Sequence, residues 1–474
     1  MRRRRARLDE ETFCRADAAD IAYLAGQLGS HKVTPASALS EDYAHDELSG
    51  VSGMPDVLVR AESAQDVVTV MRYAHERRIP VVARGSGTGL VGAAVAVRGG
   101  ILLETLRMNH ILELDERNFC VTVEPGVLLM ELTAFCEGKG YLYPPDPGEK
   151  SATIGGNIST NAGGMRAVKY GVTRDWVRGL EVVLPGGETV TLGGKMVKHS
   201  SGFDLKDLII GSEGTLGVIT KAIVKIIPLP PVSLSLLVPF ADIATAIQAV
   251  PALIRSGEDL TALEFMERTA IEAAEEYLGK RFPDSGSPAY LLLTISGDSE
   301  ARADALYRRA AELCIGLGAS DVFRVDTQER KDAVWKARGA FLEAIKASTT
   351  AMDECDVVVP RTEVAAFIAY TQELARGIGL RIPSFGHAGD GNLHIYLCRD
   401  GLPADVFENR LQQAFDAMYR KAAEMGGLVS GEHGIGSAKR AYLARQLGPV
   451  QMRLMRSIKR AFDPHGILNP DKVI

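Results

Sequence analysis

The chain has 474 residues, of which 24% are charged, and its formal net charge is −6 at pH 7. This length exceeds what one hydrophobic core usually supports, so we expect more than one domain and enough interior to enclose a cofactor. Acidic and basic residues are interspersed, which excludes a strongly basic surface for binding nucleic acid or an anionic membrane. A small molecule is therefore the expected partner.

Targeting patterns and cysteine spacing narrow the class of protein further. No apolar run reaches the roughly 18 residues of a membrane span, and the arginine run at residues 2–5 is followed closely by acids, unlike a transit peptide. We therefore expect a cytoplasmic chain, with docking on a membrane-bound partner as an alternative. The six cysteines lack CxxC or ferredoxin spacing, which predicts reduced thiols rather than an iron–sulfur cluster or thiolate zinc site.

Residues 55–231 combine many glycines with short β-branched runs, which indicates helices and strands joined by many loops. Strands are predicted at DVLVR (56–60), IPVVA (79–83) and CVTVEP (120–125), with a hairpin at LEVVLPGGETVTL (180–192). Between the first two strands, AQDVVTVMRYAHERR has apolar residues at helical spacing. The three prolines of IIPLPP (226–231) predict a domain boundary.

Beyond that boundary, apolar runs typical of strands alternate with long helical patterns. The strand-like runs are SLSLLVPF, AYLLLTIS, CDVVVP and LHIYLC, and the helical patterns include TEVAAFIAYTQELARGIG and ADVFENRLQQAFDAMYRKAAEMGG. This alternation predicts a sheet with helices packed on it.

Three glycine loops lie within the first half. In the first, Gly87-x-Gly89-x-x-Gly92 satisfies the dinucleotide fingerprint formally, but the text after it is β-branched and broken by glycines rather than helical. Without Cβ atoms, successive N–H groups can surround an anion such as pyrophosphate, although a plain tight turn is the alternative for this loop alone. Further glycine loops at 151–171 and 211–220 favour one extended ligand crossed by several turns.

These loops carry a resemblance that extends downstream. The segments ARGSGTGLVGAA, YPPDPGEKSATIGGNISTNAGGMRAVKYG, GSEGTLGVIT, GHAGDGNLH, SGEHGIG and DPHGILNPDKV resemble the vanillyl-alcohol oxidase and p-cresol methylhydroxylase family, in its branch of FAD-linked 2-hydroxy-acid dehydrogenases. The resemblance implies an α+β chain with a two-subdomain, non-Rossmann FAD-binding domain and an α/β cap domain with an antiparallel sheet. The expected division is an N-terminal arm (1–52), the FAD domain (53–231), the cap (232–430) and a C-terminal segment that completes the site (431–474).

The resemblance also implies which residues contact the flavin. The expected residues are Gly85, Ser86, Gly87, Thr88 and Gly89 at the pyrophosphate; Pro145, Asp146, Gly155, Gly156, Asn157, Asn161, Gly163 and Gly164 along the flavin; Glu213, Gly214 and Ile219 toward the adenosine; and Asn469 facing the ring. Members of the family that bind FAD covalently usually carry a histidine in the first loop. Because Ser86 and Thr88 stand there, we expect a non-covalent FAD.

The segment SFGHAGDGNLHIYL places His387 and His394 seven positions apart. On an uninterrupted strand they would face opposite sides, so they converge only if the chain bends at Gly389-Asp390-Gly391. A carboxylate joining two imidazoles makes a His₂Glu metal set with open positions, and Glu432 of SGEHGIG is the candidate. Asp390 is the competing ligand.

A divalent ion would make an alcohol hydroxyl acidic enough for a histidine to deprotonate it. A hydroxyl titrates near 15.7 and an ordinary histidine near 6.5, so direct proton transfer is uphill by roughly 12 kcal/mol. A metal-bound hydroxyl is acidic enough for His433 to act as the base. The resemblance supports His387, His394 and Glu432 as ligands and His433 as base. Zinc is the first expectation, followed by manganese or iron(II), because the flavin already provides redox chemistry.

Two further positions concern the substrate. Arg338 in AVWKARGAFLEAI matches an arginine that the resemblance places over the site, where it would bind the substrate carboxylate, although an exposed helix arginine is the alternative. Relatives acting on 2-hydroxyglutarate carry a lysine at the position of Glu354 and an asparagine at that of Tyr396. Because a carboxylate there would repel a second substrate carboxylate, the sequence favours a monocarboxylate.

The resulting hypothesis is an FAD- and metal-dependent enzyme that oxidises D-lactate or glycolate to the 2-oxo acid. Electrons would pass to an electron-transfer flavoprotein, an iron–sulfur partner subunit or a quinone, with oxygen as a further acceptor, in a homodimer or a hetero-complex. The alternatives are a D-2-hydroxyglutarate dehydrogenase, a noncatalytic flavin relay subunit and an NAD-linked Rossmann dehydrogenase.

Overall fold

The computed structural model describes residues 13–257, 259–284 and 286–474, so the arginine run at residues 2–5 lies outside the described residues. The strands of the first part are β1 (Val33–Pro35), β2 (Val57–Arg60), β3 (Val81–Arg84), β4 (Ile101–Glu104), β5 (Ile111–Asp115), β6 (Cys120–Val123), β7 (Tyr141–Leu142), β8 (Val177–Val183), β9 (Thr189–Gly193), β10 (Val218–Lys225) and β11 (Ile227–Pro228). Its helices are α1 (Ala18–Leu28), α2 (Ala64–Arg77), α3 (Leu129–Glu137), α4 (Ile154–Thr160), α5 (Ala167–Tyr170) and α6 (Lys206–Ile209).

Two sheets organise this part. One has the order β1-β2-β4-β3, with β4 parallel to both β2 and β3, and the other has the antiparallel order β5-β6-β10-β8-β9. The predicted hairpin is confirmed as β8 and β9. Helix α2 begins where the Ser63 hydroxyl accepts from the Asp66 N–H, and it buries the apolar stripe that the spacing predicted.

The chain after β3 confirms that the first glycine loop is not a Rossmann turn. Residues 85–100 form bends and turns, and the next regular element is β4 rather than a helix. Gly87 has φ +78° and Gly92 has φ +72°, values at which a side chain would strain the backbone. The loop therefore offers backbone N–H groups without the helix N-terminus of a dinucleotide fold.

The second part contains one large sheet with helices on both faces. Its strands are β12 (Val232–Phe240), β13 (Leu260–Glu267), β14 (Ala289–Gly297), β15 (Phe323–Val325), β16 (Met352–Val358), β17 (Ser384–His387) and β18 (Asn392–Cys398). Its helices are α7 (Ile243–Arg255), α8 (Arg268–Leu278), α9 (Glu300–Gly316), α10 (Gln328–Gly339), α11 (Phe341–Ala347), α12 (Val364–Ile378), α13 (Ala404–Glu424) and α14 (Arg440–Phe462). The strand order is β15-β12-β14-β13-β17-β18-β16, and every pairing is antiparallel, as the sequence predicted for the cap.

The two faces of this sheet belong to two hydrophobic cores, which explains why its strands are apolar without alternation. On β18, Leu393, Ile395 and Leu397 pack into one core. Tyr396 and Cys398 pack into the other, together with residues of α8, α10 and α11. His394 lies on this second face because side chains two residues apart share a face.

The C-terminal segment returns to the first part of the chain. Beyond α14, which is kinked at Gly448 and Pro449, Leu468 bridges Val81 of β3, and the Asn469 N–H donates to the Val81 carbonyl at 2.7 Å. This end of the chain therefore contacts the sheet of β3, and Ile458 and Phe462 of α14 pack against the core of the β10 sheet. Within the described ranges, none of the helices combines the length and apolar character needed to cross a bilayer.

Candidate active site

The predicted bend brings the two histidines together. Strands β17 and β18 form a hairpin in which His387 pairs with Asn392, and His394 stands two residues further along on the same face. The ring centroids of His387 and His394 are 5.3 Å apart. Gly391 has φ +88°, and Asp390 Oδ1 accepts from the Asn392 N–H at 3.0 Å, so Asp390 stabilises the turn.

Glu432 meets both imidazoles from a loop far downstream. Its Oε1 atom lies 3.5 Å from His387 Nε2 and 3.3 Å from His394 Nε2. Donors that share one tetrahedral ion at about 2.1 Å lie roughly 3.4 Å apart, so these separations fit a single divalent ion. The donor set of two imidazole nitrogens and a carboxylate suits zinc, manganese or iron(II).

Two carboxylates, one fully buried and one largely buried, orient the histidine rings. Glu264 Oε1 lies 2.8 Å from His387 Nδ1, and Glu354 Oε1 lies 2.9 Å from His394 Nδ1. Such pairs fix the tautomer and turn the opposite nitrogen, here Nε2, toward a metal. Glu354, His394 and His433 form a second possible ligand group. Because Glu354 is hydrogen-bonded to His394 Nδ1, we favour the group in which both histidines offer Nε2 to Glu432.

The electrostatics of the cluster favour a cation. Burial opposes the charged form of His387, but the carboxylates of Glu264 and Glu432 outweigh it and raise its pKa well above the usual value. The pKa of His394 rises to about 9, because Glu354 and Glu432 likewise outweigh burial. Although burial opposes its charge, the imidazoles lower the pKa of Glu432 well below its ordinary range. A divalent ion would take the place of the protons that the imidazoles otherwise retain.

Arg338 enters the site as half of a buried ion pair. Its Nε and Nη2 atoms lie 3.0 Å and 2.5 Å from Glu264 Oε2, and its guanidinium stacks 4.5 Å from the centre of the Phe385 ring. The alternative of an exposed helix arginine is wrong, because only 7% of Arg338 is exposed. Its charge is shared with Glu264, a residue that sequence reasoning missed; an acidic residue within a buried apolar run was the available signal.

His433 lies beside the ligand cluster. Its ring stacks on His394 with centroids 5.2 Å apart and an interplanar angle of 25°. Nδ1 faces Glu354 Oε1 at 3.7 Å and Asp356 Oδ2 at 3.9 Å, while Nε2 lies 3.7 Å from Glu432 Oε1. The Nε2 atom therefore points to the place where a ligand of the ion would bind.

The glycine loops approach neighbouring groups so closely that a side chain would not fit. A Cβ at Gly85 would lie 2.2 Å from Thr153 Oγ1, one at Gly87 would lie 2.2 Å from the Arg84 guanidinium, and one at Gly155 would lie 2.6 Å from Pro125 Cβ. A Cβ at Gly163 would lie 2.8 Å from Glu432 Oε2, so the predicted flavin loop touches the ligand cluster.

Buried polar atoms without partners line the same loops. Among the described residues, Asn157 Nδ2, Ser212 Oγ and Asn469 Oδ1 are buried and make no hydrogen bond. A buried orphan of this kind indicates a polar ligand, and FAD fits both the orphans and the glycine surfaces. Ser212 was not predicted, although a hydroxyl inside GSEG was the signal.

Several predicted flavin residues also make hydrogen bonds within the protein. Glu213 accepts from the N–H groups of Ile435 and Gly436 at 2.6 Å and 2.7 Å, so its carboxylate binds the loop that carries Glu432. Its contact with the adenosine end stays a prediction. Asn469 Nδ2 donates to the carbonyls of Ala93 and Glu213, which joins two glycine loops.

The remaining predicted side chains lie in the surrounding structure. Ile219 belongs to the hydrophobic core of the β10 sheet, and its contact with the adenosine stays a prediction. Asp146 pairs with Lys150 at 2.6 Å, and Asn161 Oδ1 accepts from the Arg174 N–H at 2.9 Å. Ser86 and Thr88 face each other across 3.5 Å. Pro145, Gly156, Gly164 and Gly214 contribute backbone to the same loops.

Comparison with known proteins agrees with this geometry. The family model described as "FAD linked oxidases, C-terminal domain" matches residues 229–473, and that described as "FAD binding domain" matches residues 55–193. The chain is 47% identical to "D-lactate dehydrogenase" of Anaerostipes hadrus, over 94% of this chain and 95% of the relative. It is 39% identical to "Glycolate oxidase subunit GlcD" of Bacillus subtilis (strain 168), over 91% of each.

Solved structures support the fold. The crystal structure of p-cresol methylhydroxylase with substrate bound matches with a TM-score of 0.80 at 19% identity, over 96% of both chains. This likeness confirms the predicted FAD-binding architecture and its cap. With both family models and relatives of 39% to 47% identity covering nearly the whole length, the chain belongs to the FAD-linked oxidase family.

Proposed function

We propose that the chain oxidises a short D-2-hydroxy acid, D-lactate or glycolate, to the 2-oxo acid, with a divalent ion beside its FAD. The observation that carries this proposal is the convergence of His387 Nε2 and His394 Nε2 on Glu432, with His433 alongside and the Gly163 loop in contact. A metal-binding set next to a flavin loop suits the oxidation of an alcohol. The names of relatives at 47% and 39% identity support the substrate class.

Each polar residue has a role in this reaction. His387, His394 and Glu432 would hold the ion, which would supply a lowered pKa for a substrate hydroxyl, while FAD would supply the hydride acceptor. His433 Nε2 takes the hydroxyl proton as the hydrogen on the substrate's Cα departs with its electron pair. Glu354 Oε1 and Asp356 Oδ2 lie 3.7 Å and 3.9 Å from His433 Nδ1, on the side of the ring away from the proposed proton transfer.

Arg338 is our candidate for the substrate carboxylate. Its guanidinium stacks on Phe385, whose ring centre is 5.3 Å from that of His394, so a cation stands next to the ligand cluster. The ion pair with Glu264 holds Arg338 in one orientation and also ties it to His387. A planar guanidinium suits a carboxylate that also approaches the metal.

The charge of Glu354 favours a monocarboxylate. Glu354 and His394 are bonded at the edge of the cluster, and burial together with the Glu354 charge raises the pKa of Tyr396 well above its usual value. A second substrate carboxylate near Glu354 would meet a like charge. The alternative, D-2-hydroxyglutarate, is the substrate named for a relative from Stutzerimonas stutzeri, which is 32% identical over 91% of this chain.

Electrons would leave through a separate acceptor. The cysteines of the chain are free and follow no cluster spacing, so the proposed acceptor is an electron-transfer flavoprotein, an iron–sulfur partner subunit or a quinone. The protein would work as a homodimer or within a hetero-complex. Docking on a membrane-bound partner would place it at a membrane surface.

Anaerobic flavin reduction tests the proposed function. Mixing the FAD-loaded protein with D-lactate or glycolate should bleach the flavin band at about 450 nm, while L-lactate serves as the control. His433→Asn should slow the bleaching by about 10²- to 10⁴-fold with FAD still bound. Unchanged bleaching in the variant would refute His433 as base, and no bleaching of the parent by any 2-hydroxy acid would favour an electron-relay subunit.

Metal dependence has its own measurement. Elemental analysis of the purified protein should find about one zinc, manganese or iron per chain, and exhaustive dialysis against EDTA should abolish flavin reduction. Activity that survives complete metal removal would refute the metal's role while leaving the FAD chemistry in place.

A further inference from the structure

One buried carboxylate outside the ligand cluster holds the loop that carries Glu432 and His433. Asp356 on β16 has no exposed surface and stands directly opposite His394 on β18. Cross-strand partners share a face, so Asp356 and His394 point to the same side of the sheet.

The donors to Asp356 come from four consecutive residues of that loop. The Ser430 hydroxyl donates at 2.7 Å, and the Gly431 N–H lies 3.1 Å and 3.2 Å from the two carboxylate oxygens. The N–H groups of Glu432 and His433 reach Asp356 Oδ2 at 3.4 Å and 3.2 Å. Together one hydroxyl and three backbone N–H groups surround this anion.

Two further side chains complete the arrangement from the opposite side. Lys439 Nζ lies 3.2 Å from Asp356 Oδ2 and 3.1 Å from the Asp356 carbonyl, and only 6% of this lysine is exposed. Asn392 Nδ2 donates to Asp356 Oδ1 at 2.8 Å. Asn392 is the cross-strand partner of His387, so Asp356 is connected to the strands of both histidines and to the loop of Glu432.

These contacts determine how well the ligand set is preorganised. Residues 430–436 have no regular secondary structure, so their N–H groups lack the ladder partners that hold His387 and His394 in place. The carboxylate of Asp356 provides such partners for the N–H groups of residues 431–433, and charge-assisted hydrogen bonds are stronger than neutral ones. Loss of the Asp356 charge would therefore loosen the backbone of Glu432 and His433, although all three proposed metal ligands would still be present.

We infer that Asp356, neutralised by Lys439, is a positioning residue that fixes Glu432 and His433 against His394 and thereby sets metal affinity and the place of the base. The inference rests on the proposed function. Asp356 binds the loop through three backbone N–H groups and the Ser430 hydroxyl, and the imidazole nitrogen within 4.0 Å of it is His433 Nδ1, at 3.9 Å, which is not the nitrogen that faces the metal position.

The test compares Asp356→Asn with Asp20→Asn in the FAD-loaded protein. Asp20 is a suitable control because it is likewise buried, at 1% exposure, and lies on α1, away from the site. Its Oδ1 atom accepts from the Tyr73 hydroxyl at 2.6 Å and from Arg77 Nε at 2.9 Å, both on α2. Zinc affinity is measured by competition with a fluorescent chelator, and flavin bleaching by substrate is measured at saturating zinc. D356N should bind zinc about 10- to 100-fold more weakly, as is typical when an outer partner of a ligand is lost.

The kinetic readout separates positioning from general destabilisation. At saturating zinc, D356N should still bleach its flavin at least about 10-fold more slowly, because His433 is displaced, whereas D20N should match the parent in zinc affinity and rate. Should D356N not fold, Ser430→Ala, which removes the 2.7 Å donor, should weaken zinc several-fold.

The outcomes are distinguishable from failure of the proposed function. Equal zinc affinity and equal bleaching rate in D356N and the parent would overturn the inference, as would equal losses in D356N and D20N. A parent that binds no divalent ion would instead overturn the metal part of the proposed function, and the bleaching rate alone would then decide whether Asp356 positions His433.

Discussion

Glu264 is the residue whose removal should affect both stability and metal binding. It has no exposed surface, and its two oxygens are divided between His387 Nδ1 and the guanidinium of Arg338. Glu264→Gln keeps the shape but removes the charge. Arg338 would then be a buried cation without its carboxylate, and His387 would lose the partner that turns Nε2 toward Glu432.

The two consequences have different magnitudes. Breaking a buried ion pair by removing one member typically costs about 3–5 kcal/mol, because the other charge stays buried. Loss of the carboxylate behind a metal-binding histidine typically weakens the metal by about 10- to 100-fold. We expect both effects in E264Q.

A double variant separates these effects. In E264Q/Arg338→Gln the unpaired cation is gone, so thermal stability should recover in large part, whereas zinc affinity should remain as low as in E264Q. The assays are thermal unfolding followed by circular dichroism and zinc competition with a chelator. If E264Q unfolds at the parent temperature and retains zinc equally well, the role of Glu264 is refuted.

Three further predictions concern the loops. Gly163→Ala should displace Glu432, because Glu432 Oε2 would lie 2.8 Å from the added Cβ. Zinc affinity, measured by competition with a chelator, should fall at least about 10-fold, and an unchanged affinity would contradict the close approach. Burial raises the pKa of Glu213 from 4.5 to about 7. Its contribution to the free energy of unfolding is therefore fully present below about pH 4.5 and falls by roughly 3 kcal/mol as the pH rises through 7. Glu213→Gln should remove this pH dependence from unfolding midpoints measured between pH 5 and 8. Gly87→Ala, at φ +78° and against Arg84, should weaken FAD binding at least about 10-fold, measured by recovery of flavin fluorescence on dilution.

Local patterns were enough for most regular elements. The apolar spacing of α2, the hairpin of β8 and β9 and the apolar runs of β12 and β14 follow from the identity of neighbouring residues, and all were predicted. The missed strand β13 is an instructive exception, because LTALEFME contains acids at positions that the sheet buries. A polar residue is acceptable there only because a partner arrives from elsewhere in the chain.

The candidate site likewise has some features that follow from local sequence and others that depend on contacts between distant segments. The glycine bend between His387 and His394, the glycine loops and the kinds of side chain that bind a metal are properties of short segments, so the sequence by itself determined them. The partners of those side chains depend on strand order. Glu264 lies 123 residues from His387, and Glu354 lies 40 residues from His394. Only the tertiary structure decided that these carboxylates orient the rings and that Arg338 pairs with Glu264. Hydrogen bonds between distant segments form according to which strands become neighbours, and no local spacing encodes that choice.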